Sequence, residues 1–153
     1  MSNLNLTKAT KTIRLKPDAS GWTVAAGQTN VNSDIVDTAG FDAVRFKVAF
    51  GAITSGAATS IKVQQGAAAA MGDAADILGT SITVLDSHDN KVAISDIIRP
   101  QERYLRVSTL RATQDSVIDY AEAELYRAAS EPVTQDSTVL SAETAASPAE
   151  GTA

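Results

Sequence analysis

The 153-residue chain predicts an all-β fold, a single β-sandwich or jelly-roll-like domain of about eight antiparallel strands, on three observations. The first is the stretch from Val44, where Val44, Phe46, Val48, Phe50 and Ala52 alternate with Arg45, Lys47 and Ala49. Period-two alternation of this kind marks a half-buried strand. The second is the recurrence of turn-forming clusters at intervals of about 8–12 residues, the spacing of sandwich strands. The third is composition: the hydrophobic fraction is 44% but much of it is Ala, with aromatics only 5%, which suits thin, closely packed sheets.

Three segments follow: an arm over 1–12, a β-sandwich over 13–127, and an extended Ser/Thr/Ala/Glu-rich tail over 128–153. Ile13 and Leu15 alternate with Thr12 and Arg14, as an edge strand would. Lys16 to Gly21 is a turn, since Pro17 fixes φ and Gly21 tolerates φ > 0. Trp22–Val24 reads as a short strand, Gly27–Asn30 as a turn and Val31–Val36 as a strand. Thr38-Ala39-Gly40 is a tight turn into the central strand, which holds all three Phe residues. Thr54–Thr59 suits a hairpin loop, pairing 43–53 with 60–65, where Ile61 and Val63 point inward and Lys62 and Gln64 outward.

Asp73–Gly79 reads as one helical turn, capped by Asp73 at its start and Gly79 at its end. Strands are expected at Ser81–Leu85, Lys91–Ile98, Arg103–Leu110 and Val117–Tyr126. From Ala128 onward few large apolar residues remain, and composition alone describes a disordered tail.

Charge and motifs exclude several functions. The net charge of −5 argues against non-specific nucleic-acid binding. No apolar run approaches the ~20 residues that cross a bilayer, and the first residues are too polar for a signal peptide. The chain is read as a soluble product made in the cytoplasm that binds neither nucleic acid nor membrane. No cysteine is present, so neither a disulfide nor a Cys-ligated zinc contributes. No cofactor motif is found. The charge is divided: Lys8, Lys11, Arg14 and Lys16 make residues 1–16 a +4 segment, and Glu131, Asp136, Glu143 and Glu150 make 130–153 a −4 segment. Oppositely charged ends suggest a separate partner surface for each.

Candidate chemistry is sparse, and the chain is read as a non-enzyme. His88, in Asp86-Ser-His-Asp89, cannot form a triad with consecutive neighbours; an exposed polar turn explains it. Asp86 with Asp89, or Asp73 with Asp76, lacks the spacing of a calcium loop. Glu122 and Glu124 share a strand face about 6.6–7 Å apart, as inverting glycosidase carboxylates do, and Tyr120 and Tyr126 share that face. A solvated or subunit-facing strand explains them as well. Arg99, Arg103, Arg106 and Arg111 point to inter-strand or inter-subunit pairing. Trp22 is either core or an interface anchor. Val133, Val139 and Leu140 are the large apolar residues of the tail. With the basic arm residues and these arginines, they make up the candidate interface.

The segments Asp37-Thr-Ala-Gly-Phe-Asp-Ala-Val44, Ala49-Phe-Gly-Ala-Ile53, Ile61-Lys-Val-Gln-Gln-Gly66 and Asp73-Ala-Ala-Asp-Ile-Leu-Gly-Thr80 resemble a family of small head structural proteins of tailed bacteriophages. Asp96-Ile-Ile-Arg-Pro100, Arg103-Tyr-Leu-Arg106 and Val117-Ile-Asp119 are similar to the same family, so the likeness spans about 34–127. The resemblance implies a capsid decoration or cement protein on the exterior of the virion. It further implies the major capsid protein and further copies of the chain, often as a homotrimer, as partners. A virion-borne receptor- or glycan-binding module is the alternative.

Overall fold

The chain enters its longest strands through the turn at Asp37–Gly40. The Ala39 N–H donates to the Asp37 carboxylate at 3.0 Å and the Phe41 N–H to the Thr38 carbonyl at 3.0 Å. Gly40 adopts φ 85°, open to glycine at no steric cost. The computed structural model describes residues 5–16, 25–145 and 151; the expected turn through Pro17 and Gly21, the strand at Trp22–Val24 and Glu150 lie outside them.

Among the described residues ten strands are present: β1 Lys11–Arg14, β2 Val31–Asn32, β3 Val36–Asp37, β4 Phe41–Ile53, β5 Ala58–Gly66, β6 Ala75–Asp76, β7 Ile82–Val84, β8 Val92–Ile98, β9 Tyr104–Ala112 and β10 Ser116–Ala128. A single helical turn, α1 Leu6–Ala9, precedes them, and a 3₁₀ turn, Asp86–His88, precedes β8. The first sheet runs β1-β10-β4-β8, all antiparallel. In the second, β9 and β5 form the centre. β2 and β3 share the outer edge of β9, and β6 and β7 share that of β5.

The core lies between the sheets. Val44, Phe46, Val48 and Phe50 of β4 and Ala121, Ala123 and Leu125 of β10 face Ile61 and Val63 of β5 and Leu105 and Val107 of β9. Phe46 is fully buried and Phe50 nearly so. The fold is thus the all-β sandwich expected, with β4 central.

Four local expectations are corrected. The 43–53 and 60–65 segments are strands but do not pair, because β4 lies in the first sheet and β5 in the second. After Ile53 the chain crosses the sandwich, with Gly56 at φ 85° in the connection, so the two inward faces oppose each other instead of lying side by side. Ala52 is exposed, whereas Gly51 and Ile53 are buried. The ladder with β10 shifts between Ser116 and Tyr120, and this irregularity flips the phase of alternation at the end of β4. Asp73–Gly79 contains no helix: Ala75–Asp76 pairs with β5, and the Asp73 carboxylate accepts the Ala67 N–H at 2.9 Å and the Ala68 N–H. Gly79, at φ 82°, still ends the segment as a turn glycine. Val31–Val36 is also broken in two, because the Ser33 hydroxyl accepts the Val107 N–H at 3.0 Å and interrupts the strand.

Candidate functional site

β1 is an outer strand of the first sheet, and its free edge is covered by the tail. The Gln135 carboxamide oxygen accepts the Thr12 N–H at 3.0 Å, while its nitrogen donates to the Thr7 and Thr10 carbonyls at 2.9 and 2.7 Å. The Thr138 hydroxyl accepts the Arg14 N–H at 2.9 Å, and the Val133 N–H donates to the Lys8 carbonyl at 2.8 Å. Asp136 shapes this segment by accepting from the Thr138 N–H and hydroxyl. The arm and the tail, expected to reach separate surfaces, therefore meet along one edge. Oppositely charged ends are gathered there, with Lys8, Arg14 and Lys16 exposed and Lys11 half-buried. Beside them a hollow of about 280 Å³ is lined by Lys11, Phe41, Ala128, Pro132 and Val133. Val139 is half-buried and Leu140 fully exposed. Trp22 lies outside the described residues.

The outer face of the same sheet carries a charged lattice. Arg45 Nη2 meets Glu124 Oε2 at 2.7 Å, and Lys47 Nζ meets Glu122 at 2.7 Å and Glu124 at 3.3 Å. These are directly opposed residues of β4 and β10, so the register itself brings opposite charges together. Burial pushes the Glu124 carboxyl up, but the Arg45 and Lys47 cations beside it outweigh this and hold it below its ordinary range. The hydrogen bond from Lys47 to Glu122 raises the Lys47 ammonium. Tyr120 donates to Glu122 at 2.7 Å, and burial with that bond pushes its phenol up to about 12. Tyr126 donates to Asp96 at 2.7 Å, which raises its phenol as well. Glu122 and Glu124 do share a face with both tyrosines, but side by side on one strand and committed to cations. A general acid needs a carboxyl pKa raised toward neutrality, the opposite of the Glu124 shift.

The four arginines do not form one patch. Arg103 grips Asp37 through two bonds of 2.8 Å and lies over the Tyr104 ring at 5.2 Å; its hydrogen bonds hold the Asp37 carboxyl low. Arg106 donates to Gln64 on the neighbouring strand at 2.9 Å. Arg111 donates to the carbonyls of Thr29, Ala25 and Ser116 at 3.1, 3.1 and 3.2 Å, pinning the 25–30 loop. Arg99 is exposed, at φ 52° just past the end of β8. Inter-strand pairing thus accounts for Arg103 and Arg106.

The turn carboxylates have local work. Asp86 accepts from the Gly56 N–H at 2.8 Å, Asp89 from the Ile53 N–H at 2.7 Å, and Asp76 from Lys62 and Gln64 at 2.8 Å each. His88 Nδ1 accepts the Leu85 N–H at 3.2 Å. Among the described residues no group of three or more His, Cys, Asp or Glu is placed to hold a metal ion, and no helix is long and apolar enough to cross a membrane.

Two features escaped the sequence reading. Gln135 and Thr138 carry no signal that sets them apart within a Ser/Thr/Ala/Glu-rich tail. The outward apolar row of β8 was legible in principle, because Val92-Ala-Ile-Ser-Asp-Ile-Ile98 places apolar residues at both parities. No protein-family model, curated protein or solved structure matches the chain.

Proposed function

We propose that the chain is a structural virion protein that binds the outer surface of a phage capsid and stabilises it, a decoration or cement protein. The observation that carries this reading is the clasp of arm and tail at the β1 edge of a rigid sandwich. It presents positive and negative chain ends together, beside a hollow of largely polar lining, where one compact contact can engage a mixed-charge shell. The resemblance over 34–127 supports the same reading, as does an outer sheet face whose carboxylates are held in ion pairs instead of lining a cleft. The partners are the major capsid protein and further copies of the chain, three around a threefold position. Such a protein acts by adding buried area across subunit boundaries, and many tethered copies compensate for a modest area each.

The receptor- or glycan-binding alternative ranks second, because the Tyr120 and Tyr126 hydroxyls that would meet a sugar are already bonded to Glu122 and Asp96. The test is to incubate undecorated capsids with the full chain and with chains lacking 1–12 or 130–153. The full chain is expected to co-sediment and raise the capsid melting temperature, and either deletion to weaken both effects together. Equal occupancy and capsid stability in all three would contradict the clasp as the attachment element.

A further inference from the structure

The two outer edges of the first sheet differ. That of β1 is covered by the tail, whereas among the described residues β8 pairs only with β4. The bonds from Phe50 N–H to the Lys91 carbonyl (2.9 Å) and from Arg99 N–H to the Asp42 carbonyl (2.7 Å) set the phase of the β4–β8 ladder. Bonded residues alternate in an antiparallel ladder. Residues 93, 95 and 97 therefore turn their backbone groups to β4, and Val92, Ile94, Asp96 and Ile98 turn theirs to the open edge. The side chains of these four also stand on the outer face, with Val92 55%, Ile94 52% and Ile98 59% exposed.

Soluble proteins usually blunt such an edge with Lys, Pro or a bulge. Val92–Ile98 contains neither Lys nor Pro, its one charged side chain, Asp96, accepts the Tyr126 hydroxyl at 2.7 Å, and its register with β4 is unbroken.

We propose that β8 pairs antiparallel with β8 of a second copy, across a two-fold axis at Ile94. Charge selects both the occupant and the register. An axis at Asp96 sets two carboxylates opposite each other, and one at Ser95 sets Lys91 opposite Arg99, both unfavourable for cross-strand pairs. The axis at Ile94 sets Ile94 against Ile94, and Asp89 of each copy against Arg99 of the other. Both charged residues are exposed, and no salt bridge within the chain occupies Arg99 among the described residues; Asp89 Oδ1 already accepts the Ile53 N–H at 2.7 Å, so the pair uses Asp89 Oδ2. The contact is isologous, as two-fold pairing requires. It leaves the arm–tail clasp at the opposite edge free, so it coexists with three-fold association and does not depend on the capsid reading.

The test measures particle mass by sedimentation velocity on the full chain and on Ile94→Lys, with melting curves as a check that both fold. The substitution is expected to halve the mass without lowering the melting temperature appreciably, since Ile94 is already half exposed. The chain has no cysteine, so Ile94→Cys reports the register directly. Bonded antiparallel partners sit with Cα atoms about 5.5 Å apart, within disulfide range. Under mild oxidation this variant is expected to link into covalent pairs at least tenfold faster than Ile98→Cys. Unchanged mass in Ile94→Lys, or equal linking of the two cysteine variants, overturns the proposal. A mass that falls only when 130–153 is deleted gives the association to the tail and overturns it too.

Discussion

Gln135 of the tail stands in for a neighbouring strand beside Thr12 of β1: its carboxamide oxygen takes the Thr12 N–H at 3.0 Å while its nitrogen serves the Thr7 and Thr10 carbonyls of the arm. One side chain thus satisfies backbone groups that an exposed edge would leave to water or to another chain.

Gln135→Ala removes all three bonds. At about 1 kcal/mol net for a hydrogen bond, opening of the arm is expected to become easier by roughly 1–2 kcal/mol. Amide exchange at Thr12 and Arg14 should then accelerate about tenfold, while exchange in β4 stays unchanged. An equal acceleration in β4 would show that the arm does not open separately.

The lattice on the outer face of the first sheet and the Asp37–Arg103 pair of the second set an acid limit. Asp37 and Glu124 have carboxyl groups held below their unfolded values by Arg103 and by Arg45 with Lys47. Their contribution is complete above the unfolded pKa, near 4, and is lost as pH falls through the lower folded value. Glu124→Gln is expected to cost about 1 kcal/mol at pH 7, after allowance for the solvent around Arg45. It should also flatten the fall in melting temperature between pH 5 and 3. Parallel curves for the two proteins would dismiss the pairing as a source of stability.

Tyr120 works in the other direction. Its phenol, near 12 in the folded chain against about 10 unfolded, contributes stability below pH 10 that disappears as pH rises through about 12. Absorbance titration of the phenolate is expected to show a late step that Tyr120→Phe removes.

Arg111 holds three carbonyls around the 25–30 loop with a fork that Lys cannot reproduce. An added Cβ at Gly27 would come within 2.7 Å of the guanidinium. Arg111→Lys is expected to lower stability by about 2 kcal/mol, or roughly 4–8 °C in melting temperature for a domain of this size. Phe46→Ala, in the centre of the core, should cost about 3–5 kcal/mol, visible as a shift in the denaturant midpoint.

The sequence carried the fold class because alternation reports which side of a strand is buried. Val44, Phe46, Val48 and Phe50, with Ile61 and Val63, are buried on the side that alternation indicates. Alternation says nothing about which strand lies alongside, and β4 and β5 proved to oppose each other across the core. The exposure of Ala52 depends on an irregularity in β10, a strand more than sixty residues away in the chain, which no local pattern encodes. Asp73 capped amides as expected of an Asp, but those of Ala67 and Ala68 before it instead of a helix after it. The clasp was the least legible feature, since composition describes the tail residue by residue and its order comes from one glutamine and one threonine meeting backbone groups over 120 residues earlier.

The central claim, capsid decoration, is tested most directly by locating the chain on intact virions whose genome encodes it. Antibody labelling with copy counting by quantitative mass spectrometry is expected to find it on the outside of the head, in a fixed ratio to the major capsid protein. Absence from the head exterior, or a few copies confined to the tail, would contradict the account.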